Sequence, residues 1–143
     1  MINSTYHWVT EFFQEHKGFT NMLDVGSLDV SGNIREYIPK DIEYTGTDMM
    51  EGSNVDVVVN AHELLSKFQA ESFDVVVCFD TFEHDDKFWE SWEQIKKVCK
   101  RGGWILLGFP GRYTPLHRHP RDYFRFMPDV FEDIFFKESE FEE

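Results

Sequence analysis

The segment "FDVVVCFD", residues 73–80, limits the possible folds more than any other stretch of the chain. It is a β-branched apolar run bounded by polar residues. A strand of that kind is covered on both faces, and sheets covered on both faces are parallel, with helical crossovers. Other segments follow the same rhythm. "TNMLDV" reads as a first strand stopped by Gly26 and "IEYTGTD" as a second. "NVDVVVNA" reads as a third, with Val55, Val57 and Val59 in alternation, and "WILLGF" as a fifth, ended by "PG". Helix-period segments lie between them. Residues 5–17 carry Trp8, Val9, Phe12 and Phe13 at helical spacing, and Gly18 ends that helix. Ser31 is expected to cap a short helix through "NIREYI", terminated by Pro39. "HELLSKFQ" supplies a helical turn or two. "DKFWESWEQIKKVCKRGG" places Phe88, Trp92, Ile95 and Cys99 on one face, with basic last turns and a stop at Gly102. "MPDVFEDIFF" reads as a last short helix before an acidic tail. The pattern predicts an α/β fold, a parallel sheet with helices on both faces. It is expected as a single domain over 1–143, with an N-terminal helix within 1–18 and the tail over 137–143.

In open α/β sheets, ligands bind beyond the carboxyl ends of the strands, near the point where strand order reverses. The residues just after each apolar run are therefore the candidates. Asp24, Gly26 and Ser27 follow the first run, where a glycine lets backbone pass close to a ligand. Asp48 follows the second, at the offset where an acid holds a ribose diol. Asn60, Ala61 and His62 follow the third, a small polar set able to edge an adenine ring. Phe79, Asp80 and Thr81 follow the fourth, with Glu83 and His84 behind them. "PGRYTPLHRHPRDYFRF" follows the fifth. Each residue alone has an ordinary reading as a turn or cap; five strand ends carrying such residues in order do not.

Composition narrows the function classes. A net charge of -13, from 27 acidic and 14 basic residues, repels polyanions and disfavours a nucleic-acid partner. No apolar run is long enough to span a membrane, and no signal peptide is evident. Cys78 and Cys99 lack metal-type spacing and read as reduced core residues of a cytoplasmic protein. No Gly-x-Ser-x-Gly elbow or Walker loop supports a hydrolase or nucleotidase. His84, His117 and His119 suggest a metal only loosely. An H-x-H pair between prolines reads as solvated or backbone-bonded, so no metal site is assigned.

Taken together, these segments resemble the class I, Rossmann-like S-adenosylmethionine-dependent methyltransferases. "LDVGS" is similar to their first motif, "YTGTD" to the second, "VDVVVNAHEL" to the adenine-side segment and "FDVVVCFDTFEHD" to the fourth-strand motif. "VCKRGGWILLGFPG" is similar to their "LKPGG" turn and fifth strand, and "HRHPRDYFRFMPDVFEDIF" to a segment often written H-x-x-P-x-D-Y-x-R-F-T-P. The resemblance implies strand order 3-2-1-4-5, S-adenosylmethionine as cofactor and S-adenosylhomocysteine as product. It puts Asp24, Gly26 and Ser27 near the methionine moiety and ribose, and Asp48 on the ribose hydroxyls with Met49 against the adenine. It puts Asn60, Ala61 and His62 along the adenine, and Phe79, Asp80 and Thr81 under the cofactor. The first loop of that family faces an amino acid and a ribose rather than a pyrophosphate. It therefore needs fewer glycines than a dinucleotide loop, which explains Leu28 and Ser31.

Methyl transfer needs a general base only for a protonated acceptor, with His84 and Tyr123 as the candidates. Arg118, His119, Arg121 and Arg125 are candidates for an acidic acceptor, Arg125 equally for a structural ion pair. Relatives usually add two strands as an antiparallel hairpin beside the fifth, and "KESEFEE" is too short and acidic for both. An uncovered fifth-strand edge predicts a homodimer or a partner chain over it. Part of the acceptor pocket would then come from elsewhere. The alternative to an active methyltransferase is a cofactor-binding subunit completed by a partner; the acceptor is not legible.

Overall fold

The computed structural model of the chain describes residues 3–136. Strands β1 (Asn21–Val25), β2 (Glu43–Asp48), β3 (Val57–Val58), β4 (Phe73–Phe79) and β5 (Cys99–Gly108) form one sheet. All pairs are parallel and the order is β3-β2-β1-β4-β5. The expected α/β sheet with its 3-2-1-4-5 order is thus present. Two α-helices, α1 (Asn3–Glu15) and α2 (Phe88–Val98), cover opposite faces.

The two-residue period of β4 decides which face each side chain serves. Val75, Val77 and Phe79 join Met22 and Leu106 under Val9, Phe12 and Phe13 of α1. Val76 and Cys78 join Leu23, Val25 and Leu107 under Trp92, Ile95 and Val98 of α2. Each such fully buried side chain stabilises by roughly 1.5–3 kcal/mol relative to exposure. The apolar run is therefore shared out between two cores, one on each side of the sheet.

A second feature gathers five of the 15 phenylalanines. Phe82, Phe88, Phe109, Phe126 and Phe135 pack ring against ring, with centroids 4.6 to 6.3 Å apart. This cluster ties the segment after β5 back onto α2 and the end of β4. The long irregular stretch 109–127 is thereby returned over the carboxyl edge of the sheet.

Several local expectations are corrected. Ser31 does not cap a helix: the only helical piece there is a 3-10 turn, Arg35–Tyr37, entered from Ile34 without a side-chain cap. Asp29 takes the Gly32 N–H at 2.9 Å and the Asn33 amide at 2.6 Å, and Asn33 takes the Arg35 N–H at 3.1 Å. These side-chain turns compete with the helix and win. The third strand shrinks to two residues, because the Asp56 carboxylate turns inward to accept the Gly46 N–H at 2.8 Å. α2 ends at Val98 rather than at Gly102, and Cys99 is already extended. Gly102, at φ +72°, sits in an irregularity where β5 loses register with β4 between Phe73 and Val75. The last short helix is a π-turn, Phe131–Phe135. The acidic tail lies outside the described residues.

Candidate functional site

Strand order reverses between β1 and β4. Thr81 links their carboxyl ends: its hydroxyl donates to Phe79 O at 2.9 Å and also lies 3.2 Å from Val25 O. Gly26 packs directly on this bridge. At φ +80° it holds a left-handed conformation, and its N–H donates to Thr47 O at 2.8 Å. The Ser27 N–H shares that carbonyl at 2.9 Å, which fixes the turn out of β1. Ser27 Oγ then donates to Asn54 O at 2.9 Å, so this buried hydroxyl braces the loop after β2.

The turn opens onto a cavity of about 720 Å³. Asp24, Gly26 and Ser27 at the end of β1, Asp48 and Met49 at the end of β2, Asn60, Ala61 and His62 after β3, and Phe79, Asp80 and Thr81 at the end of β4 all line it. The structure therefore brings every cofactor-side candidate to one space. His84, Tyr123, His119 and Arg121 also reach it. Arg118 and Arg125 do not. The donors of Arg125 are spent on Asp122 and on the carbonyls of Thr114, Pro115 and Phe124. Arg125 thus fits the second of its two readings, the structural ion pair, and braces the loop after β5.

Electrostatics differ along the cavity. Asp24 is 5% exposed, and burial pushes its carboxyl up to about 7, although the Tyr44 hydroxyl donates to it. Asn54 in turn donates to that hydroxyl at 3.0 Å and to Ser27 O at 2.8 Å. Asp48 keeps one oxygen on the Met50 N–H at 2.9 Å. Asn60 serves as an N-cap, its carbonyl oxygen accepting the His62 N–H at 2.9 Å. The ring of His62 is fixed by Asp85, with Nε2 donating to Oδ1 at 2.7 Å. Asp85 also accepts from Lys87 N at 2.8 Å and Ser91 Oγ at 2.5 Å. Asp80 holds φ +47°, an uncommon conformation for a non-glycine residue, at the mouth between β1 and β4.

Sequence reasoning missed Asp85, Asn54 and Tyr44 as contributors. Their signal is three-dimensional: each is an ordinary polar residue until its partners are known. It also missed how far the loop after β5 closes the cavity, contributing Thr114, Pro115, His117 and Pro120. That loop is docked by the Tyr123 and Phe124 N–H groups, which donate to Glu83 O at 2.7 and 3.2 Å. Among the described residues no helix is long and apolar enough to cross a membrane.

Comparisons with known proteins agree with this geometry. The fold is shared with a SAM dependent methyltransferase from Archaeoglobus fulgidus, at a TM-score of 0.73 and 19% identity over 94% of this chain and 66% of that one. It is shared with Haemonchus contortus phosphoethanolamine N-methyltransferase 2, solved in complex with S-adenosyl-L-methionine (TM-score 0.68, 20% identity, 94% and 36% covered). A third likeness is the YcgJ protein of Bacillus subtilis (TM-score 0.61, 19% identity, 74% and 50% covered). The chain thus spans less than two thirds to about one third of the length of these proteins. No curated protein sequence matches it. A methyltransferase-domain family profile matches residues 15–107, well over half of the chain, from the end of α1 through most of β5. On that match, the chain belongs to the methyltransferase-domain family.

Proposed function

We propose that the chain binds S-adenosylmethionine in the cavity at the carboxyl edge and transfers its methyl group to an acceptor. The observation that carries this reading is the convergence of Asp24, Gly26, Asp48, His62 and Thr81 on one cavity at the strand-order reversal, within a methyltransferase-domain family match. Asp48 would accept from the ribose hydroxyls, and Met49 would lie against the adenine. Asn60, Ala61 and His62 would border that ring. Gly26 and Ser27 would pass beneath the methionine moiety, with Asp24 near its ammonium.

The chemistry is a displacement at a carbon activated by its sulfonium, so the cofactor carries the hard step. The protein aligns the acceptor and excludes water. His84 and Tyr123 reach the same cavity as candidate proton acceptors. Arg121 and His119, on the loop after β5, are the candidates for contacting an acidic acceptor. Both cysteines are free and buried, which supports a cytoplasmic site of action. The net charge of -13 weighs against nucleic acid as acceptor.

Calorimetric titration of the purified chain with S-adenosylmethionine and S-adenosylhomocysteine tests this reading. Asp48→Ala is expected to weaken binding by roughly 1.5–3 kcal/mol, the worth of a hydrogen bond to a charged group. Absence of binding by the folded wild-type chain would overturn the cofactor assignment. If binding is intact and no acceptor is methylated, the alternative of a cofactor-binding subunit completed by a partner stands.

A further inference from the structure

Glu83, His84 and His117 come together beside the cavity, which the two histidines line, outside the contacts proposed for the cofactor. Glu83 and His84 are neighbours on the 3-10 turn Phe82–His84, directly after β4. His117 arrives from the loop after β5, beyond the segment that the family profile matches. Its N–H donates to Asp122 at 2.7 Å, and Asp122 is in turn held by Arg125. Nothing in the proposed methyl transfer uses Glu83.

The ring nitrogens are sorted by their partners. His84 Nδ1 faces Arg121 O, and His117 Nδ1 lies 3.0 Å from Pro115 O. A carbonyl only accepts, so these contacts favour the proton on Nδ1 in both rings, the 3.0 Å carbonyl contact of His117 outweighing the longer approach of Arg125 Nη2 at 3.4 Å. The remaining nitrogens, His84 Nε2 and His117 Nε2, each lie 3.4 Å from Glu83 Oε1. In neutral rings these atoms are lone pairs, and they face a carboxylate oxygen. Three acceptors turned on one another repel unless a metal ion or a shared proton lies among them. Glu83 is fully buried, and its second oxygen, Oε2, has no hydrogen-bond partner. A carboxylate buried in that way needs compensation.

The spacing matches an ion. One ligand atom from each of the three residues lies within 4.8 Å of the other two. Two ligands about 2.1 Å from a tetrahedral ion stand about 3.4 Å apart. Nδ1 on a backbone carbonyl with Nε2 free is also the arrangement that orients a metal-binding histidine. The geometry points to a binding site for a divalent first-row transition-metal ion, held by the Glu83 carboxylate and the Nε2 atoms of His84 and His117. Two imidazoles and one carboxylate suit Zn²⁺, Mn²⁺ or Fe²⁺ better than Mg²⁺ or Ca²⁺, which take oxygen ligands.

His84 and His117 line the cavity, so an ion held by them would stand at its wall, within reach of an acceptor bound there. An acceptor hydroxyl bound there would lose its proton to solvent water more readily, and His84, taken up as a ligand, would not then serve as the proton acceptor. Its oxygen would then form the O–CH₃ bond as the S–CH₃ bond breaks, and the sulfonium would leave as a neutral thioether. This acceptor class, an oxygen nucleophile, rests on the proposed methyl transfer. Ion binding does not, and it is measured without cofactor.

Chelator-treated protein would be titrated with Zn²⁺, Mn²⁺ and Mg²⁺ by calorimetry, with Mn²⁺ followed by electron paramagnetic resonance. One Zn²⁺ or Mn²⁺ per chain is expected, more tightly held than Mg²⁺. His117→Ala, on the exposed side of the cluster, and the isosteric Glu83→Gln should each weaken it at least about tenfold. His119→Ala should leave it unchanged. Circular dichroism would establish that each variant is folded. No binding by folded wild-type protein, or equal binding by wild type and His117→Ala, would overturn the site. The first outcome would assign the cluster to protons shared between Glu83 and the histidines.

Discussion

A Cβ built on Gly26 would lie 2.0 Å from Thr81 Oγ1. The two residues follow the carboxyl ends of β1 and β4, and both line the cavity. Gly26→Ala adds both a clash and the strain of a positive φ, the latter worth about 1–3 kcal/mol. The variant is expected to melt at lower temperature and to lose S-adenosylmethionine binding beyond what its stability loss explains. Thr81→Ala in the same chain removes the two closest atoms but not Thr81 Cβ at 2.9 Å, so it should restore only part of the stability. Equal stability of the single and double variants in thermal melts would count against the contact.

Asp24 gives the fold a pH dependence of definite sign. Its carboxyl is raised by burial to about 7, while the Tyr44 hydroxyl and Arg35 pull it down and Asp48 pushes it up. The folded chain therefore keeps the proton that the unfolded chain releases near pH 4. Stability contributed by this group is complete below that pH and is lost as pH rises through about 7, by up to about 4 kcal/mol. Asp24→Asn should flatten urea-denaturation stability across this window. A cationic methionine moiety beside Asp24 would favour the ionised form, so cofactor binding near pH 6.5 should release a proton. Titrations in buffers of different ionisation enthalpy read that release, and its persistence in Asp24→Asn would exclude Asp24 as its source.

What the sequence disclosed follows from the range of its signals. The run at residues 73–80 and its companions encode burial on two faces, so the parallel sheet was legible from it. Candidates placed at strand ends were legible for the same reason, since topology sends those ends to one edge. Ser31 and the length of β3 were not, because Asp29, Asn33 and Asp56 redirect the backbone through hydrogen bonds whose partners are set by the folded chain. The Glu83 cluster was hidden more deeply. Its histidines lie 33 residues apart, and the pair in the H-x-H sequence is not the pair that meets: His117 approaches His84 with ring centroids 5.0 Å apart. Arg125 was ambiguous in the sequence and becomes clear only once Asp122 is seen beside it.

That ion pair supports a third prediction. Hydrogen bonds from Arg125 hold the Asp122 carboxyl well below the usual range, and Asp122 also accepts the His117 N–H. Arg125→Ala should free the loop after β5 while the sheet stays folded. Cleavage by chymotrypsin around Tyr113 and Leu116, both exposed, is expected to accelerate about tenfold, the factor that 1.4 kcal/mol of lost docking supplies. Arg125→Lys should recover little of this, because an ammonium cannot span the carboxylate and three carbonyls as a guanidinium does. Unchanged cleavage would return Arg125 to the candidates for acceptor binding.

Among the described residues β5 pairs with β4 alone, so the opposite edge carries unpaired backbone groups along Cys99–Gly108. Trp104 lies there, more than a third exposed, against Phe12 of α1. Folded proteins rarely leave such an edge bare, and we propose that a second copy pairs along it. Each copy carries a charge of -13, so the two repel at long range. Screening reduces that repulsion over about 8 Å at physiological ionic strength. Association should therefore strengthen as salt rises, the reverse of an interface held by opposite charges. Light scattering behind size exclusion, run at low and at moderate salt across the micromolar range, reads this directly. Twice the chain mass, more complete at moderate salt, is expected; a single-chain mass under every condition would overturn the pairing.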